Sequence, residues 1–213
     1  MTLRLTDYDD FSSVSSDEME SAEPDEQTQT LNQADLPTVF KHFQGFFSAD
    51  YFEPLLKVLK PIIEAKMTKY STRKRRSCIF SLRPSYIDAD EDSYTYNHLP
   101  PIIEELKQKI ETLTGERFDY VLAHIYYDGK AGIGYHSDKE AMSSQIASVS
   151  FGATRKFRLR RVGETSSWDY EFKLRSGDLF MMYVGCQEKY MHSVPVESAI
   201  LKPRINLTFR KYE

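Results

Sequence analysis

In the stretch "GYHSDKE", residues 134 to 140, an imidazole and a carboxylate stand two residues apart, His136 and Asp138. The neighbourhood reads as a strand, where alternate side chains share a face, so these two would project together while Ser137 points away. Such a pair can be one lobe of a metal site, or simply two polar neighbours, because an H-x-D pair arises often by chance. A metal would need a third ligand. The chain has five histidines, His42, His98, His124, His136 and His192. Of these, His192 in the strand-like "YMHSVPV" is the best partner.

Two imidazoles and one carboxylate form the facial arrangement that holds Fe(II) with three positions open, enough for a bidentate keto acid and dioxygen. The C-terminal "PRINLTFRKY" adds a second chemical pattern. Arg204, Asn206, Thr208 and Arg210 alternate with Ile205, Leu207 and Phe209, so one strand face carries two guanidiniums and two hydrogen-bonding groups. Arginines directed into a barrel are costly unless paired with anions. A dicarboxylate such as 2-oxoglutarate would satisfy both through charge-assisted hydrogen bonds. The other reading of the same alternation is a solvated outer face.

The elements that must position these residues follow from periodicity. From about residue 37, "LPTVFKHFQGFFSADYFEPLLKVLKPIIEAKM" has helical spacing after a start signal at Ser48 to Asp50, with Pro61 expected to kink or break it. "LPPIIEELKQKIETLTG" is a clearer helix, with proline at its start, Ile102, Ile103, Leu106 and Ile110 on one face, and Gly115 after its end. From Phe118 onward the apolar residues come in eight short blocks: "FDYVLAHIYY", "GIGYHSD", "IASVSFG", "RKFRLRRV", "WDYEFKL", "DLFMMYV", "YMHSVPV" and "RINLTFRKY". These are β-branched and aromatic, punctuated by turn residues, as a sandwich or barrel requires. The expected class is mostly β (α+β), about eight strands after two helices, with no internal repeat.

At 213 residues, 40% hydrophobic and 13% aromatic, the chain can bury one good core and is expected to hold one folded domain. No apolar run reaches membrane-spanning length, and "MTLRLTDYDDFSS" lacks the basic-then-apolar order of a secretory signal. Two distant cysteines, Cys78 and Cys186, fit a reducing compartment. The expectation is a soluble intracellular monomer, in nucleus or cytoplasm, with no membrane partner. Through residue 38 ten acidic residues face one base, Arg4, a net of −9 against −4 for the whole chain, so the remainder carries +5. Residues 1–36 are poor in aliphatics and read as a disordered acidic tail. It is either a solvating segment or a phosphorylatable motif for a protein partner. The positive remainder is compatible with a polyanionic ligand.

Taken together, "GYHSDKE", "IASVSFGATRKFRLR", "SGDLFMMYVG", "YMHSVPV" and "PRINLTFRK" resemble the successive motifs of the AlkB family of Fe(II)/2-oxoglutarate-dependent nucleic-acid dealkylases, closest to its DNA-repair branch. The resemblance covers about residues 70 to 213. It implies a double-stranded β-helix (jelly-roll) core over about 118–213 with N-terminal helices and a nucleotide-recognition lid over about 68–98, all within a domain of residues 37–213. It implies His136, Asp138 and His192 as the iron ligands. Arg204 would hold the distal carboxylate of 2-oxoglutarate and Arg210 would lie near the chelating one, with Tyr126, Asn206 and Thr208 completing the pocket. For the target base it implies Glu140, with Lys139 beside it, and Tyr94 and Tyr96 in "SYTYNHLPP" as stacking rings. Arg75 corresponds to the arginine of the lid motif.

Three positions depart from the family pattern. His124 replaces the usual asparagine two residues before Tyr126, leaving it as a co-substrate hydrogen-bonding group or an alternative metal ligand. Ser77 stands near the place of a lid glutamine, and the segment from Tyr96 to Pro100 is short.

Two basic blocks complete the picture. "KYSTRKRR" supplies Lys69, Arg73, Lys74, Arg75 and Arg76; "RKFRLRR" supplies Arg155, Lys156, Arg158, Arg160 and Arg161. In the second, Lys156, Arg158 and Arg160 fall on one strand face, suited to phosphates. A solvated face or a nuclear-import signal is the plainer reading. The activity implied is oxidative removal of alkyl groups from 1-methyladenine or 3-methylcytosine type bases in DNA, with RNA as a further substrate. It would use Fe(II), 2-oxoglutarate and O2, and release succinate, CO2 and formaldehyde. An oxygenase acting on an RNA methyl mark or a protein side chain, and a non-catalytic β-barrel binding module, are the competing expectations.

Overall fold

The computed structural model describes residues 38–65, 75–81, 95–96, 98–165 and 167–212. The expected tail and most of the expected lid, including Tyr94, lie outside the described residues. The elements in chain order are β1 (Phe40–Phe43), α1 (Phe52–Glu64), β2 (Arg75–Ser81), β3 (Thr95–Tyr96), α2 (Pro101–Thr114), β4 (Tyr120–Tyr126), β5 (Ile133–His136), β6 (Ile146–Gly152), β7 (Arg155–Arg161), β8 (Tyr170–Leu174), β9 (Leu179–Met182), α3 (Cys186–Lys189), β10 (Tyr190–Val194) and β11 (Arg204–Arg210). Each of the eight expected blocks is a strand, β4 to β11.

The helical reading from residue 37 is corrected at its start. Phe40–Phe43 is an edge strand paired antiparallel with β9, Phe40 opposite Met182 and Phe43 opposite Leu179. Its period-2 burial, Phe40 and His42 in and Lys41 out, is only four residues long and is hidden by the run of aromatics that follows. The start signal is real. Ser48 Oγ accepts from Asp50 N at 3.2 Å and caps a 3-10 turn, Ala49–Tyr51, that runs into α1. Pro61 does not break α1. It lacks the N–H for Lys57, yet lies so near the C-terminus that the helix closes normally, Ala65 N donating to Pro61 O at 3.0 Å. In α2, Pro101 begins the helix and Gly115, at φ 72°, ends it, a left-handed cap that glycine adopts without steric cost.

Two sheets hold everything else. The larger runs β1-β9-β6-β11-β4-β2-β3 and the smaller β5-β10-β7-β8. From β4 on, the chain steps between them, β4, β6, β9 and β11 in the larger, β5, β7, β8 and β10 in the smaller. That alternation is a double-stranded β-helix, with both sheets essentially antiparallel.

Residue parity then divides each strand of the larger sheet between two environments. One face packs under α1 and α2. Leu55, Leu59 and Ile63 of α1, with Ile103, Leu106 and Ile110 of α2, meet Val121, Ala123, Ile125, Val149, Phe151, Ile205, Leu207 and Phe209. Each such aliphatic or aromatic side chain contributes roughly 1.5–3 kcal/mol by leaving water. The opposite face looks into the space between the sheets, closed at one side by Phe40, Phe157, Phe172, Phe180 and Tyr190. Among the described residues no helix is long and apolar enough to cross a membrane.

Candidate metal centre and co-substrate pocket

β5 is an edge strand of the smaller sheet, and its pairing with β10 sets His192 directly opposite His136. The two rings lie 4.3 Å apart between centroids. Asp138 is two residues past His136, beyond the end of β5. Its backbone remains extended (φ −80°, ψ 92°) at the entrance to a 3-10 turn, Lys139–Ala141. The strand parity argued from sequence therefore carries over to a residue that is no longer in a strand. Asp138 Oδ1 is 3.7 Å from His136 Nε2 and Oδ2 is 3.7 Å from His192 Nε2. One ligand atom from each of the three residues lies within 4.8 Å of the others.

The donor chemistry fits a divalent metal. His136 Nδ1 sits 2.9 Å from the carbonyl of Gly134; donating there fixes the tautomer that leaves Nε2 as a lone pair. Burial pushes the His192 imidazole down to about 4, overcoming the opposing pull of Asp138, so it is neutral and able to ligate. Burial alone would raise the Asp138 carboxyl, but Arg210, His192 and His136 more than offset it and hold the group below its usual range.

The polar face of β11 is buried, the first of the two readings that its alternation allows: Arg204 is 1% exposed and Arg210 5%. Register brings the pocket together. Across the sheet, Tyr126 lies opposite both Arg204 and Arg75, His124 opposite both Asn206 and Ser77, and Ser148 opposite Thr208. Tyr126, His124, Arg75, Arg204, Asn206, Thr208 and Arg210 line one cavity with His136, Asp138 and His192. Arg204 gives Nη2 to Ser150 Oγ at 2.9 Å, while its buried Nε and Nη1 meet no well-aligned acceptor among the described residues. Burial drives the Arg204 guanidinium down from its usual value. A pair of unanswered donors on a buried cation is what a carboxylate would satisfy.

Arg210 is answered within the protein. Its Nη2 is 2.9 Å from Asp138 Oδ2, an ion pair outside hydrogen-bond alignment, and Nη1 bonds Glu140. Burial opposes its charge, and Asp138 and Glu140 outweigh that penalty. Asn206 spends its amide nitrogen on Ser148 Oγ and Val149 O, each at 2.9 Å, and its oxygen accepts from Thr208. His124 is held neutral, pushed well below its usual value first by burial and then by Arg75, Arg210, Arg204 and His136. Its Nδ1 has no partner among the described residues.

Other expected site residues are dispersed. Lys139 is exposed beside Glu140, whose side chain is half exposed. Tyr96 is described only as backbone, paired with Phe80 in β3. Of the first basic block, Lys69, Arg73 and Lys74 lie outside the described residues.

In the second basic block Arg155 stands apart from Lys156, Arg158 and Arg160: it is buried, 1% exposed, and cannot meet a phosphate. It ties the loop after β4 to the loop after β10, bonding Glu197 Oε2, Asp128 O, Ala131 O and Pro195 O. Arg155, Phe157 and Leu159 of β7 face inward, opposite the side that the alternation gives to Lys156, Arg158 and Arg160. Lys156 and Arg158 share Glu171, Arg158 lies 3.6 Å over the Trp168 ring, and Arg160 lies 4.0 Å over Tyr135. Ser148 and Ser150, which anchor Asn206 and Arg204, were visible as the polar alternation of "IASVSFG". Gln187 had no local signal at all.

Residues 40–210 match the 2OG-Fe(II) oxygenase superfamily. The chain is 33% identical to uncharacterized protein R406 of Acanthamoeba polyphaga mimivirus over 181 residues, 81% of this chain and 93% of that protein. It is 41% identical to the DNA oxidative demethylase ALKBH2 of Bos taurus over 120 residues, 52% of this chain and 43% of that one. The chain thus spans less than half the length of that demethylase. A solved structure of OsALKBH1 superposes with a TM-score of 0.58 at 17% identity, covering 83% of this chain and 99% of that chain, and so shares the fold. The chain belongs to the 2OG-Fe(II) oxygenase superfamily, whose chemistry uses Fe(II), 2-oxoglutarate and O2, and within that superfamily it is similar to AlkB homologues.

Proposed function

We propose that this protein removes alkyl groups oxidatively from the ring nitrogens of bases in DNA or RNA, 1-methyladenine and 3-methylcytosine being the type lesions. The domain doing so would be residues 37–213, with a lid over about 68–98 and a β-helix core over about 118–213. The observation that carries the chemistry is the His136, Asp138 and His192 cluster beside Arg204, a buried cation with two unanswered donors. The similarity to a DNA oxidative demethylase carries the substrate class.

In this reading His136, Asp138 and His192 hold Fe(II), which with 2-oxoglutarate supplies hydroxylation of an unactivated C–H bond. Arg204 receives the far carboxylate and Tyr126 covers its guanidinium. Ser148 and Ser150 keep the β11 side chains from turning away. Glu140, fixed by Arg210 at the mouth, would accept a hydrogen bond from the exocyclic amine of the target base, and Lys139 would meet its phosphate. Arg75 would stand over the same opening. Tyr94 and Tyr96 would stack on the extruded base. The protein's task is placement, because the bond oxidised is the one held nearest the metal. Methylation on the pairing edge lowers the energy needed to extrude the base.

The test is release of succinate and formaldehyde from purified protein with Fe(II), 2-oxoglutarate and oligonucleotides bearing one 1-methyladenine or 3-methylcytosine. DNA and RNA, single and double stranded, are compared. Formaldehyde matched to succinate on any of these establishes the reading and ranks the substrates. Succinate release that no alkylated oligonucleotide stimulates would overturn it.

A further inference from the structure

We propose that Gln187 is a positioning residue for the metal-site carboxylate, holding Asp138 by its backbone. The inference rests on the assignment of His136, Asp138 and His192 as metal ligands. β5 leaves its ladder with β10 at His136, so the N–H of Asp138 has no strand partner. Asp138 is 5% exposed and Gln187 3%, so water is not a ready substitute. Gln187 Oε1 accepts from Asp138 N at 2.9 Å, and its amide nitrogen reaches Met182 Sδ at 3.3 Å. Because the backbone N–H can only donate, the amide orientation is fixed from that end. Met182 lines the cavity itself.

Gln187 lies in α3, the single turn that carries the chain from β9 of the larger sheet to β10 of the smaller, and His192 follows five residues later. One side chain therefore ties the segment bearing Asp138 to the crossover that leads to His192. Ser137 Oγ, donating to Tyr190 O at 3.2 Å, makes a second tie in the same direction. Asp138 is loaded from the other end by Arg210, 2.9 Å from Oδ2. Without the Gln187 oxygen, the buried N–H would seek another acceptor and the peptide could rotate. The carboxylate would then follow Arg210 and lose its placement between the two imidazoles. Groups of this kind, one bond removed from a ligand, tune metal affinity by about 10–100-fold.

The experiment measures Mn(II) binding to the full chain by the loss of the free-ion electron paramagnetic resonance signal, with thermal unfolding of each metal-free protein alongside. Gln187→Met, which keeps volume but has no strong acceptor, is expected to weaken Mn(II) binding by about 10-fold or more. Gln187→Glu, which keeps the acceptor at the same reach, is expected to bind within about threefold of the parent or tighter. Equal binding by Gln187→Met and the parent, or equal weakening in both variants, overturns the proposal. His136→Ala separates the two levels: if the parent binds no better than His136→Ala, the metal-site assignment fails instead. Should Gln187→Met not fold, amide hydrogen exchange in the unaltered metal-free protein decides. The Asp138 amide should be protected about 100-fold or more although it lies outside any strand; free exchange there would overturn the proposal.

Discussion

Arg204 and Tyr126 sit directly opposite one another across β11 and β4, with the guanidinium carbon 5.1 Å from the tyrosine ring centroid. The ring covers a buried cation whose Nε and Nη1 are otherwise unanswered. In the ligand-free protein that cation is a burden. Arg204→Met is therefore expected to raise the melting temperature of the ligand-free protein, by about 1–3 kcal/mol in stability, or roughly 2–4 °C per kcal/mol for a chain of this size. The stabilisation that added 2-oxoglutarate gives the parent should vanish. Scanning calorimetry with and without 2-oxoglutarate checks both halves, and a preserved 2-oxoglutarate shift would move the co-substrate elsewhere.

The outward face of β7 supplies a second expectation. Lys156 and Arg158 are partly neutralised by Glu171, whereas Arg160 stacks on Tyr135 and, among the described residues, donates to the Thr165 carbonyl. Arg160→Ala should weaken binding of any oligonucleotide regardless of sequence, and reduce the slope of log affinity against log salt by about one. Fluorescence anisotropy across a salt series measures it; an unchanged slope would remove Arg160 from the phosphate path.

Asp178 offers a pH test away from the metal. It accepts from Gly45 N at 2.8 Å and Arg175 N at 2.8 Å and lies 2.9 Å from His42 Nε2. Burial would raise its carboxyl, yet the bonds from His42, Arg175 and Gly45 bring it below its ordinary value. A depressed carboxyl contributes stability that is present above the unfolded value of about 3.9 and lost as pH falls through the folded one. Asp178→Asn should thus cost about 1.5–3 kcal/mol near pH 6. The gap should close below the carboxylate range, and urea melts at pH 6 and 3 read it. A gap of the same size at both pH values would remove the carboxylate charge as its source.

Gly129 tests the clasp made by Arg155. A Cβ there would lie 1.9 Å from the backbone oxygen of Glu197. The two loops meet through Gly129 N to Ile200 O at 2.7 Å and Glu197 N to Gly129 O at 2.8 Å, so neither can yield alone. Gly129→Ala is expected to destabilise by about 1–3 kcal/mol or more, seen as a lower melting temperature. An unchanged melting temperature would mean that the loops are not held together as described.

Much of this was readable beforehand, for an identifiable reason. Strand periodicity is local, so β4 to β11 and the shared face of Arg204, Asn206, Thr208 and Arg210 could be taken from alternation, whereas that this face points inward needed the neighbouring motifs. What failed was what depends on distant partners. Phe40–Phe43 is a strand because β9 offers an edge, and nothing within four residues says so. Arg155 looks like its basic neighbours until the loops at 128–131 and 195–197 close around it. Gln187 touches Asp138 across 49 residues of chain, a relation that no pattern within the helix α3 could carry.

All seven residues of β11 are buried, three beneath the helices and four in the cavity. The strand consequently has no position at which variation is cheap: a change on one face opens the core, and a change on the other disturbs the pocket. A one-residue slip would exchange the two faces entirely. Novelty in what this scaffold accepts must then come from its margins, where Lys139, Glu140 and the outer side chains of β7 meet solvent. β11 acts as the fixed keel of the molecule, and adaptation is left to the rim.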